Sequence, residues 1–428
     1  MRDKIEQILK NKDLKKVLIT LFLRIIGIIT LFGITLIMTR NFPAKNVGDY
    51  DFSRTLLLLL GSITLLGTDQ SILYFSGFLE SKQSFYSMKK LYNKIVLFMF
   101  IMCLIVYILF NCLPITLFES DTFLFLKKGI FILFFYSLTI FNTEYLRAIN
   151  YVYLSELFRN TFKYLPLLLG CVLLINFNLD YSLVDFFYFG FVILAIITTV
   201  CCFLYNKKLK RSNAQVFIIS NKKLLERSTP MLFSNILIFS NLSIDIFLLK
   251  KYYSSVDIAY YSTIMKLITI LSMVIISFNI NISTKISEFF SLNKFEDLQL
   301  LIKNNTRIVL LLNIVITTIL IFIGVPLLEF FGKGYSEAYI PLIILLFSQV
   351  ISSTLCTAPV ILNMIGQSKI YFVILLFSTF ICLIFNAILI PYYGINGAAL
   401  SFLVTNFFTY FTIYIYVKRK YKLSIYFI

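Results

Sequence analysis

Charge-poor apolar runs recur twelve times along the chain. A helix rises 1.5 Å per residue, so about 20 apolar residues cross a ~30 Å hydrocarbon core. The first six runs are Val17 to Met38, Thr55 to Phe78, Ile95 to Leu113, Gly129 to Ile149, Phe158 to Phe177 and Phe186 to Tyr205. A basic loop follows. The second six are Thr229 to Leu249, Ile258 to Ile282, Ile308 to Leu328, Ala338 to Met364, Ile370 to Ile390 and Ile395 to Val417. Nothing between Lys369 and Lys418 is charged, and Pro391, Gly394 and Gly397 punctuate that stretch as a tight turn between two helices. The first, second, fourth and fifth runs carry charges. The pattern predicts an all-α integral membrane protein of twelve transmembrane helices.

Composition sharpens this reading. Hydrophobic residues make up 59% of the 428 and charged residues 14%, against roughly 45–50% and 25% in soluble domains. So few charges cannot cover a water-facing surface of this size. There is no His, which excludes His-ligated zinc, Ser-His-Asp triads and His proton relays. The seven Cys form no CxxC and read as small buried hydrophobes. No cofactor or metal site is predicted.

The net charge of +18 is explained by where the basic residues fall. With the N-terminus inside, cytoplasmic segments hold 29 Lys and Arg and the opposite loops hold 8. Arg24 and Lys266 lie within spans. This asymmetry places both termini in the cytoplasm and the chain in the cytoplasmic (inner) membrane. The excess charge reads as topology and anionic-lipid contact, not as nucleic-acid binding. The N-terminal run is too long for a cleaved signal peptide. Ile5, Ile8 and Leu9 among Lys4, Lys10 and Lys12 form either a short surface helix or a frayed basic tail.

The longest polar connection divides the chain into two six-helix lobes. Residues 1–205 form the N-terminal lobe, 206–228 a basic cytoplasmic linker and 229–428 the C-terminal lobe. The lobes echo one another. Val47-Gly48-Asp49-Tyr50 precedes Arg54, and Ile258-Ala259-Tyr260-Tyr261 precedes Lys266. Parallel six-helix repeats are a transporter plan.

An ionisable group at mid-bilayer costs at least ~2.5–3.5 kcal/mol, so it faces a partner or a water-filled cavity. Thr20, Arg24 and Gly27 share a face of the first span. Thr55, Ser62, Asp69 and Ser76 recur every seven residues on the second. Arg159, Lys163, Pro166 and Gly170 share a face of the fifth. Ser234, Asn241 and Asp245 align on the seventh, and Ser262, Lys266, Thr269 and Ser277 on the eighth. Small residues on such stripes also suit close helix packing. Glu144 and Arg147 either pair at the inner edge or serve transport. Arg159 and Lys163 either snorkel to headgroups or line a cavity. Arg24 and Lys266 lie about two turns inside and read as cavity-lining. Asp69 and Asp245 are either their counter-ions or proton carriers. The implied feature is a cationic cavity suited to an anionic head group. Tyr164, Tyr260, Tyr261, Gln349 and Asn363 are candidate sugar contacts. There is no Walker A motif.

These residues resemble the polysaccharide exporters of the Wzx type, the O-antigen and capsule repeat-unit flippases. That family shares a superfamily, MOP, with MATE exporters and MurJ-like lipid II flippases. Arg24, Thr39-Arg40-Asn41-Phe42, Val47-Gly48-Asp49-Tyr50 and Leu66-Gly67-Thr68-Asp69 are similar to its first hairpin. Ser228-Thr229-Pro230, Asp245 and Tyr260-Tyr261 are similar to its second-half opening. Ile286-Ser287-Glu288-Phe289-Phe290 and Asn386 through Ala399 complete the likeness. Gln70 after Asp69 departs from the family, where apolar residues are commoner.

The resemblance implies a MATE/MurJ-like fold and no enzyme activity. It implies a flippase that moves undecaprenyl-pyrophosphate-linked oligosaccharide (an O-antigen or capsule repeat unit of lipopolysaccharide and polysaccharide biosynthesis) to the outer leaflet by alternating access. The pyrophosphate would bind Arg24 and Lys266, with Arg54, Arg159 and Lys163 as further contacts. Ion coupling would fall to Asp69, Asp245 or Glu144. The lipid-linked oligosaccharide, membrane lipids, a polysaccharide polymerase and chain-length machinery would be partners. The rivals are a membrane polysaccharide polymerase or ligase and a MATE-type small-molecule exporter. Polymerases usually need a sizeable outer loop, and intramembrane cations argue against cationic drugs. The 29-to-8 asymmetry predicts that a cysteine at Ser212 labels only from the cytoplasm and one at Lys333 only from outside. Outside-only labelling at 212 would overturn the orientation.

Overall fold

A computed structural model of the chain describes residues 12–81, 85–112, 120–177, 182–207 and 219–423. The surface-helix expectation rests on residues 1–11 and lies outside them. Helices follow one another as α1 Lys12–Asn41, α2 Ala44–Thr64, α3 Thr68–Ser81, α4 Met88–Asn111, α5 Ser120–Ala148, α6 Val152–Asn160, α7 Leu165–Phe177 and α8 Leu183–Lys207. Then come α9 Asn221–Asn241, α10 Ile244–Tyr252, α11 Ser255–Ser291, α12 Phe295–Phe331, α13 Tyr339–Thr354, α14 Ala358–Met364 and α15 Ser368–Tyr421. No strand occurs among the described residues.

Nine helical segments among the described residues are long and apolar enough to cross a membrane, α6 and α7 together forming one. Two bent pairs bring the number to eleven: α2 with α3, at 45°, and α9 with α10, at 41°. The remaining expected span lies inside α15, a run of 54 residues. Unbroken, it would measure roughly 80 Å, more than twice a hydrocarbon core. It breaks at Gly394, with φ 53° and ψ −129°. A side chain at that positive φ would be strained, and its Cβ would lie 3.1 Å from the Tyr253 ring. The Tyr253 hydroxyl donates to the Pro391 carbonyl at 3.3 Å and steadies the break. The punctuation read around Pro391 thus marks a real break, with the helix continuing three residues past the proline.

The chain forms two compact units. Unit 1 comprises Met1–Asn41 with Ser53–Phe239, and unit 2 comprises Phe42–Phe52 with Ser240–Ile428. These divisions differ from the expected boundaries at 205 and 229, because each half lends a segment to the other unit. In unit 1, α9 is fastened along α3. The Lys223 ammonium sits 3.7 Å from the Phe78 ring and the Arg227 guanidinium 4.1 Å from the Tyr74 ring. The Ser71 and Ser228 hydroxyls bond at 2.7 Å. In unit 2, the first residues of α2 lie against the start of α11. A Cβ on Gly48 would fall 1.6 Å from the Ser255 carbonyl oxygen.

Each unit has its own buried centre. In unit 1 Tyr92, Phe141 and Tyr145 pack together, with the Tyr92 hydroxyl donating to Asn142 at 2.8 Å and that of Tyr145 to Asn206 at 2.5 Å. Their hydroxyls are satisfied, as buried aromatics with polar tips require. In unit 2 Ile286, Leu298, Ile361 and Val417 form the centre. All seven cysteines are free, and five are buried; Cys112 is exposed and Cys201 half-buried, so the reading as buried hydrophobes fails at 112. The heptad stripe of Thr55, Ser62, Asp69 and Ser76 is also corrected. Leu66 and Gly67 take positive φ between α2 and α3, which breaks the helical phase.

The Gly48 contact leaves no room for a methyl. Gly48→Ala should lower the midpoint of thermal unfolding in detergent by the equivalent of about 1–3 kcal/mol. Gly33→Ala should leave it unchanged, because nothing lies within 4 Å of the added carbon. Equal midpoints for the two variants would refute the close approach.

Candidate functional site

In unit 1 the helices α1, α5 and α6 bring opposite charges together. The Arg24 guanidinium grips Glu156 through two bonds, Nε to Oε2 at 3.1 Å and Nη2 to Oε1 at 3.0 Å. The Asn160 amide donates to the same carboxylate at 2.8 Å. Gly27 makes this possible: its missing Cβ would lie 2.5 Å from Asn160, so α1 and α6 approach closely. The Glu156 side chain is 1% exposed, while that of Arg24 keeps 24%. One turn on, Arg159 pairs with Glu144 at 2.7 Å, and Arg147 lies 3.8 Å from the same carboxylate. The Arg159 side chain is 44% exposed. Arg24 also feels Glu144, and Arg159 feels Glu156. The four side chains therefore form one alternating cluster. Bidentate guanidinium–carboxylate pairing fixes orientation as well as charge.

Asp69, at the start of α3, is held differently. The Asn235 amide of α9 reaches its two oxygens at 3.3 and 3.5 Å. The Gln70 side-chain amide donates to the Asn235 side-chain oxygen Oδ1 at 2.7 Å and so aims that amide. The residue that departs from the family pattern thus serves Asp69 through a relay. Glu144 and Arg159 lie within electrostatic reach of Asp69. Lys163 lies 4.8 Å from the Tyr164 ring, and Arg54 neighbours Tyr136 of α5.

In unit 2, Lys266 pairs with Asp51 at 2.8 Å, the two side chains being 6% and 2% exposed. Lys250 pairs with Asp49 at 3.1 Å. Ser255 donates to Asp49 at 2.5 Å and accepts from Lys250 at 2.8 Å. These pairs, with Phe52 edge-on to Phe247 at 5.4 Å, bind residues 42–52 into unit 2. Asp245 is buried and accepts from the Tyr261 hydroxyl at 2.7 Å and the Ile246 amide at 2.8 Å. Cys382 neighbours Asp245, Thr405 and Asn386. The Asn386 side-chain oxygen is buried and has no hydrogen bond among the described residues.

The predicted site residues are thus divided. Arg24, Glu144 and Arg159 come together in unit 1, with Asp69 and Lys163 on neighbouring elements. Lys266 and Asp245 belong to unit 2. The expectation that Asp69 and Asp245 are counter-ions of Arg24 and Lys266 is corrected: the counter-ions are Glu156 and Asp51. Buried cations need the nearest carboxylate, and those partners stand 132 and 215 residues away in sequence. Tyr261 and Tyr260 are also removed as sugar platforms. The first is fully buried on Asp245, and the second is buried against Tyr335 at 4.8 Å. Gln349 and Tyr164 are buried as well. Glu156 was missed because it falls just before the apolar run, although it sits one turn from Arg159 and Asn160. Asp51 follows the quoted Asp49-Tyr50 pair, and no local pattern links it to Lys266.

Known proteins place this geometry in context. The MatE family matches residues 230–388. The capsular polysaccharide biosynthesis protein CapF of Staphylococcus aureus is 27% identical over 218 residues, 50% of this chain and 54% of that protein. The match thus spans about half the length of that curated relative. Among solved structures, lipid II flippase MurJ in an inward closed conformation aligns with a TM-score of 0.69 at 16% identity, over 94% of this chain and 87% of that one. An inward-facing multidrug resistance MATE transporter of the MOP superfamily aligns with a TM-score of 0.71 at 10% identity, over 95% and 98%. These superpositions establish the fold, the twelve-helix, two-lobe architecture of MATE and MurJ transporters. The MatE match and the likeness to CapF agree with the resemblance read in the sequence.

Proposed function

We propose that the chain is a flippase for an undecaprenyl-pyrophosphate-linked oligosaccharide, an O-antigen or capsule repeat unit, moving it from the cytoplasmic to the outer leaflet by alternating access. The observation that carries this reading is the cluster of Arg24, Glu156, Arg159 and Glu144. Its carboxylates are buried and its guanidiniums keep an exposed side. A pyrophosphate needs several fixed donors, and a guanidinium clamped on one edge presents its remaining N–H groups already oriented. Lys163 adds a cation near this cluster. Arg54 is a further contact, and Lys266, sealed against Asp51, acts by holding residues 42–52. Likeness to a capsular polysaccharide protein and to a lipid II flippase agrees with a lipid-linked substrate.

Ion coupling falls to Asp69 and Asp245, both held by neutral donors, rather than to Glu144, which is paired with arginine. Cys382, a neighbour of Asp245, accepts from the Asn386 side-chain amide, whose buried oxygen has no hydrogen bond among the described residues, and this polar setting suits a bound proton or small cation. The cytoplasmic membrane, with both termini inside, and a polymerase with chain-length machinery complete the proposal. A second reading, a MATE-type exporter, draws on the MatE match and on the near balance of charge in the unit 1 cluster, which removes the electrostatic argument against cationic substrates.

Reconstituted vesicles carrying a fluorescent undecaprenyl-pyrophosphate oligosaccharide test this directly. Wild-type protein should expose the label to an external quencher, and the Arg24→Ala, Arg159→Ala double variant should lose about 90% or more of that rate, the tenfold effect of one strong contact. An imposed proton gradient should change the wild-type rate, and Asp69→Asn should remove the response. Export of cationic dyes with no lipid flipping would establish the second reading instead.

A further inference from the structure

In unit 1, Asp69 stands at the end of a chain of two side-chain amides. Gln70 Nε2 donates to Asn235 Oδ1 at 2.7 Å, and Asn235 Nδ2 donates to the Asp69 oxygens at 3.3 and 3.5 Å. Both links point their N–H groups toward the carboxylate. That direction suits an ionised Asp69, because a carboxylate only accepts. A protonated Asp69 carries an O–H and needs an acceptor in the same place. We propose that Asn235 and Gln70 are positioning residues for proton coupling, and that the amide pair reverses when Asp69 takes up a proton. Asn235 Oδ1 then accepts from the new O–H, and Asn235 Nδ2 donates to Gln70 Oε1. This deepens the flippase reading above and rests on the coupling role given there to Asp69.

Three observations carry this. The first is the residue type. An amide donates at one end and accepts at the other, and a half-turn exchanges the two without changing its shape. The backbone amides of Asp69 and Gln70 also face the carboxylate, but they are fixed donors. The second is burial. Asn235 is buried and Gln70 is exposed. A buried amide left unpaired is costly, so Asn235 turns only if its partner turns with it. Gln70 is free to do so, since its side chain makes no second hydrogen bond among the described residues. The third is length. The Asn235 N–H is shared between two oxygens at distances beyond the usual ~2.9–3.0 Å, whereas a hydroxyl bond closes to about 2.7–2.8 Å. Asp69 therefore loses little when it exchanges one partner for the other. Charged neighbours do not decide the direction. Glu144 of α5 and Arg159 of α6 face Asp69 and are paired with each other at 2.7 Å. On α9, Lys223 and Arg227 lie on the Phe78 and Tyr74 rings, and Glu226 is 4.0 Å from Lys222. These charges set the pH of the change. The proton comes from water and adds to one Asp69 oxygen; the amides turn but carry no proton, and no other covalent bond changes.

Solid-state NMR of the full-length protein in nanodiscs tests the reversal without any substrate. The probe is the dipolar coupling between the Asn235 side-chain nitrogen, labelled with 15N, and the Asp69 carboxyl carbon, labelled with 13C. Its signal is identified by its absence in Asn235→Leu. The infrared carboxyl band that is missing in Asp69→Asn locates the titration in each variant. In wild type the coupling should be present above that pH and lost below it. Gln70→Lys, which only donates, should keep the coupling at both pH values. Gln70→Glu, which when ionised only accepts, should abolish it at both. Both variants should lose the response of transport to a proton gradient. Position 70 is exposed, so unfolding midpoints equal to wild type are expected and confirm that the variants are folded. Coupling that persists in wild type on both sides of the titration, or that ignores the residue at 70, would overturn the reversal. A carboxyl band that stays unchanged over about pH 4 to 9 would overturn it together with the coupling role of Asp69. If flipping is intact in any of those cases, the transport reading stands without the relay. Reversal in a protein that flips nothing would sink the transport reading and leave the proton site.

Discussion

A charge inside a membrane must be matched, and this requirement organises the molecule. Leaving one buried ion without its partner costs roughly 3–5 kcal/mol, a large part of the stability of any domain. Two such matches close unit 1, Arg24 with Glu156 and Arg159 with Glu144. Two more close unit 2, Lys250 with Asp49 and Lys266 with Asp51. The second set explains why residues 42–52 leave the half in which they are encoded. Their acids are the counter-ions of lysines on α10 and α11, and a glycine at 48 lets the backbones meet.

The same matching distinguishes the two sets. The pairs of unit 2 are sealed, with every side chain at or below 14% exposure. Those of unit 1 are sealed only on the acid side. A sealed pair serves architecture, because a ligand would have to displace a buried carboxylate. A half-open pair can receive a second anion while its first partner keeps the guanidinium in place.

Much of the fold was legible because apolar length and basic asymmetry are local signals. All twelve expected runs coincide with helices, including the pair hidden in α15 on either side of Gly394. The bends at 65–67 and 241–244 were not legible, because an apolar run reads the same across a break. The site was legible only in part. Arg24, Arg159 and Asp69 stood out as polar residues in apolar surroundings. Their partners Glu156 and Asn235, like Asp51 for Lys266, did not, since pairing across more than a hundred residues leaves no periodic trace. The cationic cavity inferred from basic residues alone therefore overstated the charge, and Gln70 had no evident role until Asn235 was seen between it and Asp69.

The central claim is that Glu156 prepares Arg24 for a pyrophosphate by orienting it. Calorimetric titration of detergent-solubilised protein with a soluble short-chain pyrophosphate-linked sugar, comparing wild type with Glu156→Gln, separates this from simple attraction. The substitution raises the net positive charge by one. Orientation predicts weaker binding, by about tenfold. Tighter binding in Glu156→Gln would show that Glu156 merely opposes the anion and would contradict the account.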